Sequence, residues 1–243
     1  MIKIFQFLPV VDRARIERVN KMWQNLAKLS WYNLKVLKLD PKFLRLKSFG
    51  KKHQYIKIYD FRLRQILQRC ANYLTKIDVS SSSDCLLSVV ADCCPNIQSI
   101  KCHSPSITGI KKLTENCKSI CELILHDSID NEDALGDLFS VNKNLRILEI
   151  VDAYIDGNFL LKLPLEKMLA IKLTGSKTIN LSNAIKKTKN LSVFKEDISG
   201  AIILTDLATY CSNLTVLNLN FYSENNDYIA NIDLLLSQVF IKN

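Results

Sequence analysis

Glycine and proline are scarce in this sequence, which has 6 and 5 of them among 243 residues. So low a content argues against a turn-rich β-sandwich and against a disordered linker. No apolar run approaches the ~18 residues that a membrane-spanning helix needs. The apolar start IFQFLPVV is a poor secretion signal, because Gln6 interrupts it and DRAR follows in place of a small-residue cleavage site. We therefore expect a cytoplasmic and/or nuclear protein with reduced thiols.

Motifs of catalytic and cofactor sites are also missing. The chain has no GxGxxG, Walker or GxSxG motif, only 3 histidines, and no CxxC pair among its 8 cysteines. Cysteines and histidines are frequent between Cys93 and His126, but Cys102 and His103 fall on opposite faces of the strand predicted below. A zinc site needs four converging ligands. The sequence therefore predicts no metal, no cofactor and no enzymatic activity.

Positive charge is present in excess, but it is unevenly placed. The net charge is +9, and residues 1–69 hold 17 Lys/Arg against 4 Asp/Glu, while residues 70–243 hold 16 against 20. The basic first third favours an acidic partner, either protein or nucleic acid. A solvated basic surface without a partner explains the same numbers equally well.

One short phrase, apolar-x-x-apolar-x-apolar, recurs along the chain. Its copies are NLKVLKL, YLTKIDV, NIQSIKC, SICELIL, NLRILEI, KMLAIKL, NLSVFKE and NLTVLNL. From Leu74 onward their first apolar residues are spaced by 23, 23, 25, 23, 23 and 23 residues. In NLSVFKE the third apolar slot is Glu196. This period lies within the range of leucine-rich repeats.

The phrase and the segments between its copies predict an α/β fold. Alternation within the phrase predicts a strand with one buried face, and ITGIKKLTENC, LSNAIKKTK and LTDLATYC predict short helices. No single unit can bury its apolar face alone, so the repeats must stack. We expect a leucine-rich-repeat solenoid, with a curved parallel sheet inside and helices outside, over residues 32–243. It would contain about eight repeats and an insertion near residues 47–70.

Four cysteines come three or four residues before the first apolar residue of a phrase. They are Cys70, Cys94, Cys117 and Cys211. This placement resembles the cysteine-containing subfamily of leucine-rich repeats. A free cysteine packs as a small hydrophobe, so these positions predict buried, structural thiols.

The outward strand positions are the candidate binding surface of the solenoid. The column between the second and third apolar slots reads Lys38, Asp78, Lys101, Ile124, Glu149, Lys172, Lys195 and Asn218. The column after the third slot reads Asp40, Ser80, His103, His126, Val151, Thr174, Asp197 and Asn220. Mixed charge with a few apolar residues favours a protein ligand over nucleic acid. His103 and His126 share one slot of successive repeats, which predicts backbones about 5 Å apart.

The sequence before the repeats, IFQFLP followed by RIERVNKMWQNLA, has apolar residues at helical spacing with a break at Pro9. Together with the repeats, it resembles the latter part of an F-box, over residues 1–31. The usual F-box begins about ten residues earlier, and Asn20 stands where a cysteine is frequent. A further repeat phrase would be due near residue 237, so the chain is expected to be short at both ends.

The resemblance implies a function. F-box proteins with leucine-rich repeats are substrate-recognition subunits of Skp–cullin–F-box ubiquitin ligases, in which the repeats bind the protein substrate. It implies that Ile4, Phe5, Leu8 and Pro9 contact the Skp adaptor, while Ile16, Val19 and Trp23 hold the helices together. Two alternatives remain open. One is an interaction scaffold without a ligase role, and the other is nucleic-acid binding through residues 1–69, where Tyr55, Tyr59, Phe61, Arg62 and Arg64 interleave aromatic rings with charge.

Overall fold

The computed structural model describes residues 2–39, 52–79, 86–127, 132–151, 154–155, 157–174, 177–178, 181–198 and 202–221. They belong to two compact units, Met1–Ile120 and Cys121–Asn243. The N-terminal helices and the first repeats fall in the same unit, and the predicted boundary between residues 31 and 32 stays a prediction. Among the described residues, no helix is both long and apolar enough to cross a membrane.

Three helices open the first unit. They are α1 (Ile2–Gln6), α2 (Val10–Ile16) and α3 (Lys21–Ser30). Pro9 separates α1 from α2, as predicted, because proline has no amide hydrogen for a helical bond and disfavours helical backbone in the residue before it. Asn20 begins α3 as its N-cap, since its Oδ1 accepts a hydrogen bond from the amide of Trp23 at 2.9 Å. That bond satisfies one of the free amides of the first helical turn.

The remainder of the first unit alternates strands with helices. Its strands are β1 (Val36–Lys38), β2 (Lys76–Val79) and β3 (Ser99–His103), and its helices are α4 (Lys52–Cys70), α5 (Leu86–Cys93) and α6 (Ile107–Asn116). The strands are parallel, with β2 between β1 and β3. Helices α4, α5 and α6 pack in sequence order, each on the next. This is the predicted arrangement of parallel strands joined by helices.

The predicted insertion near residues 47–70 is for the most part α4, a helix of 19 residues. Leu63, Leu67 and Cys70 recur at three- and four-residue spacing and are fully buried, so this stripe faces the core. Most of the segment is therefore a helix that packs on the core, while the predicted insertion itself stays a prediction. Residues 40–51 lie outside the described residues.

The second unit continues the same pattern. Its main sheet has the parallel strands β4 (Glu122–His126), β5 (Ile147–Val151), β7 (Ala170–Thr174), β9 (Val193–Ile198) and β10 (Val216–Phe221), in that order. A separate parallel pair is formed by β6 (Tyr154–Ile155) and β8 (Lys177–Thr178). The α-helices are α7 (Glu132–Val141), α8 (Leu181–Ile185) and α9 (Ile202–Tyr210). Between β6 and β7 the chain forms two 3-10 helices, Asn158–Lys162 and Leu165–Lys167, on either side of Pro164.

Strand register confirms the repeat within each unit. Equivalent phrase positions pair directly, as Ile77 with Ile100 in the first unit. In the second unit the second apolar slots pair in the series Leu123, Leu148, Ile171, Phe194 and Leu217. The parallel strands and the 23-residue period together assign the leucine-rich-repeat fold.

Side chains in the second apolar slot are buried as predicted, except in β10. Leu123, Leu148 and Ile171 are at most 1% exposed, whereas Leu217 is 42% exposed. The expectation that Leu217 is buried is therefore wrong. A side chain in this slot needs packed repeats on both sides, and β10 is the last strand of the described chain.

The junction between helix and strand is occupied by small, buried side chains. They are Cys70, Cys94, Cys117, Asn142, Thr188 and Cys211. Several bond a main-chain carbonyl there: the Sγ of Cys117 lies 3.5 Å from the carbonyl of Cys94, and the Sγ of Cys211 lies 3.5 Å from that of Thr188. Because helix ends leave carbonyls without helical partners, these side chains serve packing and carbonyl pairing. The structural role predicted for the four cysteines is confirmed.

We expect the substitution Leu148→Ala to lower the free energy of unfolding by about 2–5 kcal/mol, because the cavity forms between packed repeats. Leu217→Ala is the matched control: it changes the same slot of β10, where the side chain is 42% exposed, and we expect a cost below about 1 kcal/mol. Urea unfolding followed by circular dichroism measures both. A Leu148 effect no larger than the Leu217 effect would contradict the slot assignment.

Candidate functional site

The outward face of the sheet in the second unit consists of three rows of side chains. The first row is Glu122, Ile147, Ala170, Val193 and Val216; the middle row is Ile124, Glu149, Lys172, Lys195 and Asn218; the third row is His126, Val151 and Thr174. The side chains of Asp197 and Asn220, which were predicted to continue the third row, lie outside the described ones. Main-chain pairing places neighbours of a row opposite one another. Strands in such a sheet lie ~4.8 Å apart. The predicted register is thus confirmed for the middle row, and for the third row over β4, β5 and β7, while the role of both rows in binding stays a prediction.

The first row is apolar over four consecutive strands, a feature that the sequence reasoning missed. Ile147 and Val193 are half-buried, Ala170 is buried, and Val216 is 43% exposed. The signal was present in the phrases RILEI, LAIKL, SVFKE and TVLNL, which all carry an apolar residue just before the second slot. Only the two columns beyond that slot were considered as binding positions. The result is a continuous apolar ladder on the outward face.

The middle row places charge beside this ladder. The Nζ of Lys172 donates a hydrogen bond to the Oε2 of Glu149 at 3.1 Å, and both side chains are half-buried. Lys195 pairs in register with Lys172, so a second ammonium follows on the next strand. An ion pair at this exposure contributes at most about 1 kcal/mol to stability. Its main effect is to give the face a charge pattern of one carboxylate followed by two ammonium groups.

The first unit has a middle row of its own. Lys38, Asp78 and Lys101 are opposite one another on β1, β2 and β3, and Lys38 lies 4.0 Å from the carboxylate of Asp78. Charge on this sheet therefore alternates in sign, as the sequence indicated. Asp40 and Ser80 of the third column lie outside the described residues.

The two histidines each end a strand, His103 in β3 and His126 in β4. The next residues, Ser104 and Asp127, have φ angles of 44° and 67°, a left-handed conformation that few non-glycine residues adopt. The chain therefore leaves both strands by the same kind of turn. The two histidines belong to different units, so their predicted separation stays a prediction.

The four residues predicted to contact the adaptor have different surroundings. Ile4 is 63% exposed and Pro9 is exposed, while Leu8 is half-buried. Phe5 is only 5% exposed, with its ring centroid 5.4 Å from that of Trp23. Phe5 therefore packs the helices and offers a partner almost no surface. Phe7, which the sequence reasoning did not select, is 87% exposed.

Arg13 holds the three helices together by polar contacts. Its guanidinium donates to the carbonyls of Gln6, of Leu8 at 3.0 Å and of Ser30 at 2.9 Å, and to the Oδ1 of Asn33 at 3.1 Å. Arg13 is 5% exposed, and burial lowers the pKa of its guanidinium. The end of α1 and the end of α3 are thereby fixed to α2. Val19, which was expected to hold the helices, is 59% exposed, so that expectation is wrong.

Glu17 attaches these helices to the first repeat. Its Oε1 accepts a hydrogen bond from the indole Nε1 of the buried Trp31 at 2.9 Å, and its Oε2 accepts one from the Nε of Arg69 in α4 at 2.8 Å. Charge-assisted hydrogen bonds of this kind are about twice as strong as neutral ones. The N-terminal helices and α4 are therefore coupled through one carboxylate.

A second ionic cluster joins the helices of the first unit. Asp92 of α5 accepts hydrogen bonds from Arg64 of α4 at 3.0 Å and from Lys112 of α6 at 2.8 Å. Burial acts to raise the pKa of Asp92, but the bonds from Lys112 and Arg64 hold it below its ordinary value. Arg64 is therefore engaged within the protein, while Phe61 and Arg62 of the same candidate nucleic-acid set are exposed. The side chains of Tyr55 and Tyr59 lie outside the described ones.

Several of the described cysteines are buried thiols with raised pKa values. Burial raises the pKa of Cys70 and Cys102 to about 12 and that of Cys117 to about 11. Since the thiolate is the nucleophile and the metal ligand, these thiols are inert at neutral pH. Among the described residues, no group of three or more His, Cys, Asp or Glu side chains is placed to hold a metal ion.

Comparisons with known proteins give limited matches. No protein-family model matches the chain. A Caenorhabditis elegans protein named "Putative RNA-binding protein EEED8.10" is 28% identical over 131 residues, which is 51% of this chain and 16% of that protein. The chain thus spans about a sixth of that relative's length.

Two solved structures are also similar. The tropomodulin C-terminal domain of Caenorhabditis elegans matches with a TM-score of 0.33 and 15% identity, covering 61% of this chain and 87% of that domain. The leucine-rich-repeat-containing protein LegL7 of Legionella pneumophila matches with a TM-score of 0.34 and 13% identity, covering 86% and 91%. The fold assignment rests on the chain's own strand register and period.

We expect Glu17→Gln to lower the free energy of unfolding by about 1.5–3 kcal/mol, because Arg69 loses a charged hydrogen-bond partner. Asp12→Asn is the matched control, since its ion pair with Arg15 is on the surface and such pairs contribute about 0–1 kcal/mol. Chemical unfolding followed by tryptophan fluorescence reports on Trp31 directly. Equal effects of the two substitutions would show that Glu17 does not couple the helices to α4.

Proposed function

We propose that this chain is a protein-interaction module that binds a protein ligand on the outward sheet face of its second unit. The observation that carries this proposal is the apolar ladder Ile147, Ala170, Val193 and Val216, aligned in register. Val216 is exposed and Ile147 and Val193 are half-buried, so the ladder leaves apolar side chains partly accessible, and contiguous accessible apolar surface marks interaction sites. The pair Glu149 and Lys172 next to it supplies charge that selects the register of the ligand.

We further propose that the protein is not an enzyme. The motifs of phosphate binding and acyl transfer are missing from the sequence, and burial raises the pKa of Cys70, Cys102 and Cys117, so we propose a binding protein without catalytic activity. We also propose a cytoplasmic and/or nuclear location. Its support is that the described cysteines are free thiols, which suits a reducing compartment.

The sheet-face proposal predicts that Val216→Asp reduces ligand capture at least about tenfold, since a carboxylate in the apolar ladder must be desolvated on binding. Leu161→Asp is the matched control, because Leu161 is 39% exposed against 43% for Val216 and lies in a 3-10 helix. The measurement is quantitative mass spectrometry of proteins captured by the full chain. If no captured protein depends on Val216, the outward face is not the binding surface.

A finer proposal is that the module is the substrate-recognition subunit of a Skp–cullin–F-box ubiquitin ligase. It is supported by the resemblance of residues 1–31 to the latter part of an F-box and by the exposure of Ile4 and Pro9. The coupling of α2 to α4 through Glu17 and Arg69 also suits this role. A subunit that positions a substrate benefits from a stiff connection between its adaptor-binding helices and its repeats.

The ligase proposal predicts that the full chain binds purified Skp adaptor and that Ile4→Asp abolishes this binding, because it puts a charge into an apolar contact. The substitution is at a site 63% exposed, so the fold is retained. Leu161→Asp again serves as control and should bind the adaptor as the unmodified chain does. Absence of adaptor binding by the full chain, and by a form extended upstream, would exclude the ligase role.

A second candidate function is RNA binding. It is favoured by the printed name of the relative EEED8.10 and by the basic first third. The two carboxylates of that third whose side chains are described, Asp12 and Glu17, already form ion pairs. Exposed ammonium groups such as those of Lys21, Lys28 and Lys35 are then available to phosphate.

A further inference from the structure

A strip of positive charge lies where the strands of the second unit begin. We define the junction edge as residues 143–146, 166–169, 187–192 and 210–215, which are the turns leading into β5, β7, β9 and β10. It holds five exposed cations and one carboxylate, that of Glu166. The cations are Lys143, Arg146, Lys167, Lys187 and Lys189.

Hydrogen bonds from each turn to the preceding one align the junction edge. The Nζ of Lys167 donates to the carbonyl of Lys143 at 3.0 Å and to the Oδ1 of Asn144 at 3.2 Å. One repeat later, the Nδ2 of Asn190 donates to the carbonyl of Glu166 at 2.6 Å. Successive turns are therefore neighbours, and their cations form a row with one or two charges in each of three repeats.

This charge is not neutralised within the described part of the protein. Lysines elsewhere in the second unit form ion pairs, namely Lys162 with Asp137, Lys172 with Glu149 and Lys186 with Asp206. None of the five cations of the junction edge is in such a pair among the described residues. A row of like charges close together is unfavourable by itself, so an anionic polymer that runs along it would gain from every repeat.

Two exposed apolar side chains lie beside the row of cations, where they could contact nucleobases. Leu169 is 40% exposed between Arg146 and Ser192 on neighbouring repeats, and Tyr210 is 44% exposed at the end of α9. Single-stranded nucleic acids bind where cations track the phosphates and side chains offer flat or apolar faces to the bases. An acidic peptide would satisfy the cations but would leave the tyrosine ring without a specific partner.

We propose that the junction edge binds the phosphate backbone of a single-stranded nucleic acid. The proposal goes beyond protein binding on the sheet face, and it locates nucleic-acid contact in the second unit and not in residues 1–69. One strand of phosphates would pass from Lys143 and Arg146 over Lys167 to Lys187 and Lys189, with a base on Tyr210.

The experiment measures the affinity of the full chain for a fluorescein-labelled oligouridylate of about 15 nucleotides, by fluorescence anisotropy at two salt concentrations. Each phosphate contact to a single strand contributes a slope of ~0.7 in log affinity against log salt. With five contacts, the dissociation constant should rise roughly 100-fold between about 50 and 200 mM salt. Removal of three contacts should reduce that rise to roughly sevenfold.

The test variant combines Lys143→Gln, Lys167→Gln and Lys189→Gln, which remove charge but keep side chains that form hydrogen bonds. The matched control combines Lys21→Gln, Lys28→Gln and Lys35→Gln in the first unit, with the same loss of charge. We expect the test variant to bind at least about tenfold more weakly at the lower salt and to have the smaller slope. The control should stay within about twofold of the unmodified chain.

Lysines that follow a helix also interact favourably with its negative end, as Lys143 can with α7 and Lys187 with α8, so a structural role needs its own readout. Lys143→Gln alone removes a side chain without a hydrogen bond in the described part, and it should lower the slope by ~0.7 while the melting temperature is unchanged. If the single variant keeps the slope of the unmodified chain, the junction edge does not contact phosphate.

Three further results would overturn the proposal. If the first-unit control loses binding while the test variant binds as the unmodified chain does, the contact lies in residues 1–69, and the second candidate function is supported. Displacement of the oligouridylate by polyglutamate at equal charge concentration would identify an acidic protein as the partner. No binding at about 50 mM salt would exclude both nucleic-acid sites. None of these results affects capture of a protein by the sheet face, which Val216→Asp reports separately.

Discussion

The register between neighbouring parallel strands is the constraint on which the remainder of this structure depends. A single repeat cannot bury its second-slot side chain, so Leu148 is enclosed only when Leu123 and Ile171 pack on both sides of it. A slip of one residue would exchange the buried and outward faces of a strand. Because the register is fixed, each position of the phrase becomes a row of neighbours. The apolar ladder, the charged middle row and the junction edge are all such rows.

Features that repeat with the phrase were predictable from the sequence, and features that need a neighbour were not. The strands, the middle row and the cysteine positions follow from spacing alone. Leu217 has the same place in the phrase as Leu148, yet it is 42% exposed where Leu148 is fully buried, so position in the phrase alone does not set burial. Phe5 was assigned to a surface by resemblance, and its contact with Trp23 depends on how α1 meets α3. Sequence spacing within one helix does not contain that information.

The net charge of a segment likewise does not reveal where its charged side chains lie in the fold. Residues 70–243 hold 16 Lys/Arg against 20 Asp/Glu, and this balance drew attention to the first third and not to a cationic surface here. Folding separates the charges of this segment. Glu149 pairs with Lys172 on the sheet face, and Asp206 pairs with Lys186 away from the junction edge. The junction edge stays cationic because its turns contain lysine, arginine and uncharged polar residues but only one carboxylate, that of Glu166. A net charge per segment averages over faces that the fold keeps apart.

Several cations of the basic first third are bonded within the protein and are not available to a partner. Arg13 is buried and bonded to carbonyls, Arg69 is bonded to Glu17, and Arg64 is bonded to Asp92. These guanidinium groups stabilise the first unit, and a partner in solution meets mainly lysines. Their fixed geometry has a further effect, since any protein that docks on α1 to α3 is held through Glu17 at a set orientation to α4 and the repeats packed on it. Arg69, which the composition counted toward a partner, therefore acts first as the connection between the N-terminal helices and α4.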